Sequence, residues 1–98
     1  MPSVVLVIDM TLAFMEPGHT LYCGDRARRI IQNIRTLLER ETSKGSEVLF
    51  LNDAHDPDDL EFRMFPSHSI AGSEETHIIP ELAGFPGEII PKKRFSAF

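Results

Sequence analysis

The sequence predicts an α/β domain built on a mostly parallel β-sheet, and three observations carry that expectation. Two short apolar runs, Val4-Val5-Leu6-Val7-Ile8 and Val48-Leu49-Phe50-Leu51, show no polar alternation, as expected of parallel strands covered on both faces. Between them lies a stretch whose apolar residues recur every three or four positions, as on one face of a helix. Strand, helix and strand at this spacing make a βαβ unit, whose crossover sets the two strands parallel.

Taken in order, the first run ends at Asp9, where a charge is costly unless it is paired or used. Residues 10–24 contain Pro17, Gly18 and Gly24 and have no clean period, so they read as a long loop. Such length hints at function or at wrapping over a site. Asp25 is placed to cap the helix that follows. Its stripe is Ala27, Ile30, Ile31, Ile34, Leu37 and Leu38, and Lys44-Gly45 closes it. Residues 47–51 form the second strand, which opens into the loop Asn52-Asp53-Ala54-His55-Asp56-Pro57-Asp58-Asp59. Residues 54–87 are a long excursion with a short helix near residues 74–82, interrupted by Pro80. Residues 87–91 make a third strand ending at Lys92-Lys93-Arg94. Three strands with one covering helix leave a sheet face bare. The chain is therefore expected to be half of an α/β domain.

Composition bounds the function. The 98 residues suffice for one domain or part of one, with 42% apolar and 26% charged residues. A net charge of −5 argues against a nucleic-acid partner, because phosphate binding needs a concentrated basic face. Arg26, Arg28 and Arg29 cluster at the start of the helix and read as a solvated face. The single cysteine, Cys23, excludes an internal disulfide and fits a reducing compartment. No secretory leader and no run of membrane-spanning length is visible, so the expected location is cytoplasmic.

The residues with chemical promise collect at one place. The carboxyl ends of parallel strands open on one edge of the sheet, where ligands bind in such folds. Asp9 and Asn52-Asp53 share that edge. Asp53, His55 and His68 together form a two-histidine, one-carboxylate set suited to zinc, manganese or iron(II). The competing reading is an acidic turn flanked by two surface histidines. Asp9 and Lys92 end the first and third strands and could be a base with its electrostatic partner, a buried ion pair, or unrelated surface charges. Cys23 has no histidine or acid beside it in sequence and reads as a buried structural thiol. His19 and His77 read as surface residues. Phe14, Phe62 and Phe65 fit either an aromatic pocket or ordinary core. A first-strand Asp also suits haloacid-dehalogenase-type phosphatases, but their second acid two positions on is here Thr11.

Together the motifs resemble the isochorismatase-like cysteine hydrolases, in particular their metal-binding nicotinamidase branch. The matching pieces are Val5-Leu6-Val7-Ile8-Asp9-Met10 with Phe14, Asn52-Asp53-Ala54-His55, Phe65-Pro66-Ser67-His68 with Ala71-Gly72-Ser73, Ile79-Pro80-Glu81-Leu82, and Lys92-Lys93-Arg94-Phe95-Ser96-Ala97-Phe98. They occur in the family's order and cover nearly the whole chain.

The resemblance implies a three-layer αβα, Rossmann-like fold, of which residues 1–98 would be the N-terminal part. It also implies an Asp–Lys–Cys triad acting on an amide. Asp9 matches the general base and Lys92 the triad lysine, with Lys93 the substitute if the register slips by one. Asp53, His55 and His68 match ligands of a divalent metal, zinc first and manganese or iron after it, that positions the substrate. Phe14 and Phe65 match substrate-facing aromatics.

The chain departs from the family pattern in three respects. The nucleophilic cysteine and the oxyanion-binding amides of the family lie beyond Phe98, and Cys23 does not match the nucleophile. Thr11-Leu12-Ala13 stands where Gln-Asn-Asp is frequent, and Phe65 where tryptophan is frequent.

The expected activity is hydrolysis of nicotinamide or a similar small amide, by a homo-oligomer or with the remaining half as a second chain. A metal-free isochorismatase or carbamoyl-amide hydrolase is the alternative within the family. A non-catalytic binding or assembly subunit is the alternative outside it.

Overall fold

A computed structural model describes residues 3–94. Three strands, β1 (Val4–Ile8), β2 (Glu47–Asp53) and β3 (Glu88–Lys92), form one sheet in the order β1-β2-β3. Both pairings are parallel, β1 with β2 as the βαβ spacing predicts and β3 with β2 besides. Helix α1 (Leu12–Met15) follows β1, helix α2 (Ile30–Ser43) crosses from β1 to β2, and helix α3 (Pro80–Ala83) precedes β3. The architecture is α/β. No helix among the described residues is long and apolar enough to cross a membrane.

Helix α2 packs through its predicted stripe. Ile31 and Leu38 are buried, with Ile34 partly so, against Val7, Val48 and Phe50 of the sheet. Its C-terminus is set by Gly45, whose φ of +86° lies in the left-handed region open to glycine. Gly45 N–H donates to Thr42 O and Ser46 N–H to Glu41 O, satisfying two terminal carbonyls.

The N-terminus differs from expectation. Asp25 does not cap it: its carboxylate accepts the Tyr22 hydroxyl at 2.5 Å. The chain is already helical at Arg26 and enters through a 3-10 turn, Ala27–Arg29. Arg28 there is tied to Glu81 at 2.5 Å and to the Met15 carbonyl, so it is no freely solvated arginine.

The loops hold more order than the sequence suggests. Residues 12–15 form a single helical turn instead of loop, too short for any period to show and held by tertiary contacts. Leu12 N–H donates to His77 O and Ile79 N–H to Met10 O, while Ala13 and Met15 are buried. Pro80 starts α3 at its first position, where its missing N–H has no partner to lose, rather than interrupting a longer helix. Residues 74–76 make a separate 3-10 turn.

Helix α2 covers one sheet face along β1 and β2, and the other face is open along the outer strands, with Leu51 of the central strand buried. Val7, Val48 and Phe50 face α2, whereas Val4, Leu6, Ile8 and Ile90 are exposed. The half-domain expectation anticipates this, since a parallel sheet normally has helices on both faces.

Candidate active site and metal centre

Strand β2 runs two residues further than predicted, so Asn52 and Asp53 belong to the sheet and not to the loop. The parallel register sets Asp53 directly beside Lys92 of β3. Residues abreast in a ladder point to the same face. Lys92 Nζ accordingly lies 2.5 Å from Asp53 Oδ1, 3.2 Å from Asp9 Oδ2 and 3.1 Å from Arg94 O. Lys93 points the opposite way, is exposed, and reaches Asp56 at 3.3 Å. The register therefore places Lys92, and not Lys93, beside Asp9 and Asp53.

Asp9 follows β1 with φ +58°, a left-handed conformation unusual for a residue with a side chain. Its N–H continues the ladder to Leu51 O, and its Oδ1 accepts Asp53 N–H at 3.1 Å. Two carboxylates thus share one ammonium. Burial raises the Asp9 pKa, the Asp53 charge adds to the rise, and Lys92 offsets only part of it. Burial pulls the Lys92 pKa down, but the Asp53 hydrogen bond and the two carboxylate charges outweigh it and raise it overall.

The histidines are brought in by a bridge between loops. His55 N–H donates to Ser69 O and Ala71 N–H to His55 O, so residues 68–71 lie alongside residue 55. His55 Nε2 is 3.3 Å and His68 Nε2 3.9 Å from the same oxygen, Asp53 Oδ2. All three residues are buried, which removes the reading of an acidic turn with surface histidines.

The ring nitrogens facing away are engaged. His55 Nδ1 lies 2.9 Å from Lys93 O, and His68 Nδ1 lies 2.8 Å from Pro66 O. A carbonyl only accepts, so each Nδ1 carries a proton, and each Nε2 is turned toward Asp53. Asp53, His55 and His68 can each offer one ligand atom, with those atoms within 4.8 Å of one another. This donor set fits a divalent cation.

Phe14 packs edge-on against His68 with centroids 5.6 Å apart. Phe62 does so against His55 at 5.4 Å and His68 at 5.5 Å, a wall the sequence left undecided between pocket and core. Phe65 is exposed. Cys23 is also exposed, not buried as expected: its loop brings its backbone to Phe14 O but leaves the thiol at the surface. His77 is exposed as expected. His19 is half-buried, with Nδ1 2.7 Å from Glu75, whose other oxygen accepts Ser69 N–H at 2.8 Å.

Asp59 was legible only as a turn residue. It is buried, and its carboxylate accepts from Glu61 N–H, Arg94 Nη1 and His55 Nδ1. Its pKa is lowered, chiefly by the Glu61 amide.

The isochorismatase domain model matches residues 3–98. The chain belongs to the isochorismatase family. Among curated proteins it is similar to the uncharacterized isochorismatase family protein PncA of Bacillus subtilis, with 34% identity over 77 residues, 76% of this chain and 42% of that protein. Among solved structures, the nicotinamidase/pyrazinamidase PncA of Bacillus subtilis matches with 32% identity and a TM-score of 0.86, covering all of this chain and 60% of that one. The N-carbamoylsarcosine amidase of Thermoplasma acidophilum matches with 28% identity and a TM-score of 0.88, covering all of this chain and 56% of that one. The chain thus spans roughly half the length of these family members.

Proposed function

We propose that residues 1–98 form the N-terminal part of a hydrolase domain that cleaves a small amide of the nicotinamide type. The observation that carries this reading is the position of Asp53. One of its oxygens holds the Lys92 ammonium that also faces Asp9, and the other faces both imidazoles. A charged catalytic pair and a metal-type donor set therefore share one residue.

In this reading Asp9 is the general base. It takes the proton of a cysteine thiol supplied from outside the 98 residues, and the thiolate attacks the amide carbonyl. The proton held on Asp9 then passes to the leaving amine, and water releases the acid from the thioester. A carboxylate with a raised pKa suits this duty, since it must hold a proton between two steps. Lys92 keeps carboxylate and thiolate together by charge. Asp53, His55 and His68 would hold zinc, or manganese or iron in its place, which supplies a Lewis-acidic point for orienting a ring nitrogen of the substrate. Phe14 and Phe62 flank the imidazoles, and Phe65, which is exposed, is the third aromatic assigned to the substrate.

We place the protein in the cytoplasm, where the thiol that this chemistry requires stays reduced. A homo-oligomer, or a second chain carrying the cysteine, completes the proposal.

The test uses the protein with its complete domain. Ammonia release from nicotinamide and stoichiometric metal in the purified protein are the expected results. His55→Ala is expected to lower zinc affinity by more than the roughly 10–100-fold that loss of an outer partner costs. Absence of metal from both proteins would overturn the metal-binding reading. The likeness to an N-carbamoylsarcosine amidase favours a second reading, cleavage of a carbamoyl amide. Turnover of ureido substrates alone would select it. An intact mass of 11.1 kDa with no second chain and no turnover would select a non-catalytic subunit.

A further inference from the structure

We infer that Asp59 is the positioning residue for His55: it shares the Nδ1 proton of the imidazole and so aims Nε2 into the Asp53–His68 cluster. The inference rests on the metal-binding reading of that cluster. Asp59 lies four residues beyond His55, on the side of the ring away from Asp53. Its Oδ2 is 3.1 Å from His55 Nδ1, and both side chains are buried. The Lys93 carbonyl, 2.9 Å from the same nitrogen, fixes which tautomer is present but carries no charge. Asp59 adds the charge. A carboxylate on the far N–H of a ligating histidine orients the ring and strengthens its lone pair as a donor.

The remaining contacts of Asp59 show why it acts behind the histidine and not as a ligand itself. Oδ1 accepts Glu61 N–H at 2.8 Å, and Oδ2 also accepts Arg94 Nη1 at 3.0 Å. Both oxygens are taken by donors, one of them a cation, which leaves a poor face for a metal. Asp53 contrasts with it, since Asp53 Oδ2 faces two imidazole Nε2 atoms. Asp59 also ties three segments together. Glu61 belongs to the 3-10 turn Leu60–Arg63, and Lys93 and Arg94 follow the strand that carries Lys92. The orientation of His55 is thereby fixed relative to Lys92.

Two variants separate positioning from capping. Asp59→Ser keeps an acceptor for Glu61 N–H but is too short to reach His55. Asp59→Asn is isosteric and caps as well as Asp, yet has one acceptor oxygen. With that oxygen on Glu61 N–H, its NH2 faces the His55 Nδ1–H, donor against donor. Zinc affinity is measured by chelator competition on the complete protein. The His55 Nδ1–H resonance is followed in the metal-free protein by NMR, alongside its thermal midpoint.

The expected result is a loss of about 10–100-fold in zinc affinity for both variants. The Nδ1–H signal should move upfield from its carboxylate-bonded position, with the fold retained. Zinc affinity within twofold of the parent for Asp59→Asn overturns the inference, as does an unshifted Nδ1–H signal. A parent protein that binds no zinc defeats the metal-binding reading by itself, while the NMR signal still decides whether Asp59 holds His55.

Discussion

Two carboxylates and one ammonium meet at the ends of three adjacent strands, and this imbalance governs the behaviour of each residue in it. Removing Lys92 leaves Asp9 and Asp53 facing each other with no cation between them. Lys92→Met is expected to destabilise the protein by about 3 kcal/mol, the lower end for breaking a buried pair, because Asp9 keeps 26% of its side chain exposed. Urea unfolding at neutral pH checks it, and the loss should shrink as pH falls through the raised Asp9 pKa. Lys92 itself has a raised pKa, so its stabilising contribution is complete at neutral pH and is lost only as pH climbs through that raised value.

Asp9 has the opposite sign. Its pKa is higher folded than unfolded, so the folded state binds the proton more tightly and ionised Asp9 costs stability above that pKa. Asp9→Asn is therefore expected to raise the melting temperature at neutral pH, with the gain fading as pH falls through the raised Asp9 pKa. An equal melting temperature for parent and variant across the range would refute this. Under the proposed function, with Asp9 as the base, this is the trade expected of an active site.

At the scale of elements, what the sequence could and could not show divides by length and by partner. Helix α2 and the cores of all three strands were legible because their patterns repeat over many residues. Helix α1 was not, because one turn has no period and it is held by backbone bonds to His77 and Ile79 elsewhere in the chain. The extension of β2 to Asp53 was hidden for a related reason. Polar Asn52 and Asp53 look like loop, and only pairing with Pro91 and Lys92 keeps them extended. Asp59 escaped notice as a partner of His55 because an acid in Asp-Pro-Asp-Asp is explained by turn chemistry alone.

Gly87 tests how tightly β3 must approach. A Cβ there would lie 2.7 Å from both the Phe50 ring and the Val48 carbonyl, and a backbone oxygen cannot swing aside. Gly87→Ala is expected to cost about 1–3 kcal/mol by overpacking. Because the displaced strand carries Lys92, amide exchange should quicken at Ala54, whose N–H donates to Lys92 O. Unchanged stability and exchange would show that the strand shifts freely.

At the scale of the whole molecule, the covered and bare faces of the sheet set how the 98 residues behave when produced alone. The continuous apolar run in β1 predicted burial on both sides, yet alternate residues are exposed, Val4 at 56% and Leu6 at 45%. The chain spans about half the length of the family members it matches, and a parallel sheet with its helix on one side leaves such a face. Exposed apolar patches of this kind favour association. Sedimentation velocity of the isolated chain is expected to show concentration-dependent association at neutral pH. The double substitution Val4→Lys with Leu6→Lys should return it to monomer. Neither residue packs against α2, so the helical signal should persist. The net charge of −5 would fall to −3 with the two added lysines, so the change cannot be credited to stronger overall repulsion. A monomeric parent chain, or a variant that associates equally, would show that the bare face does not govern association.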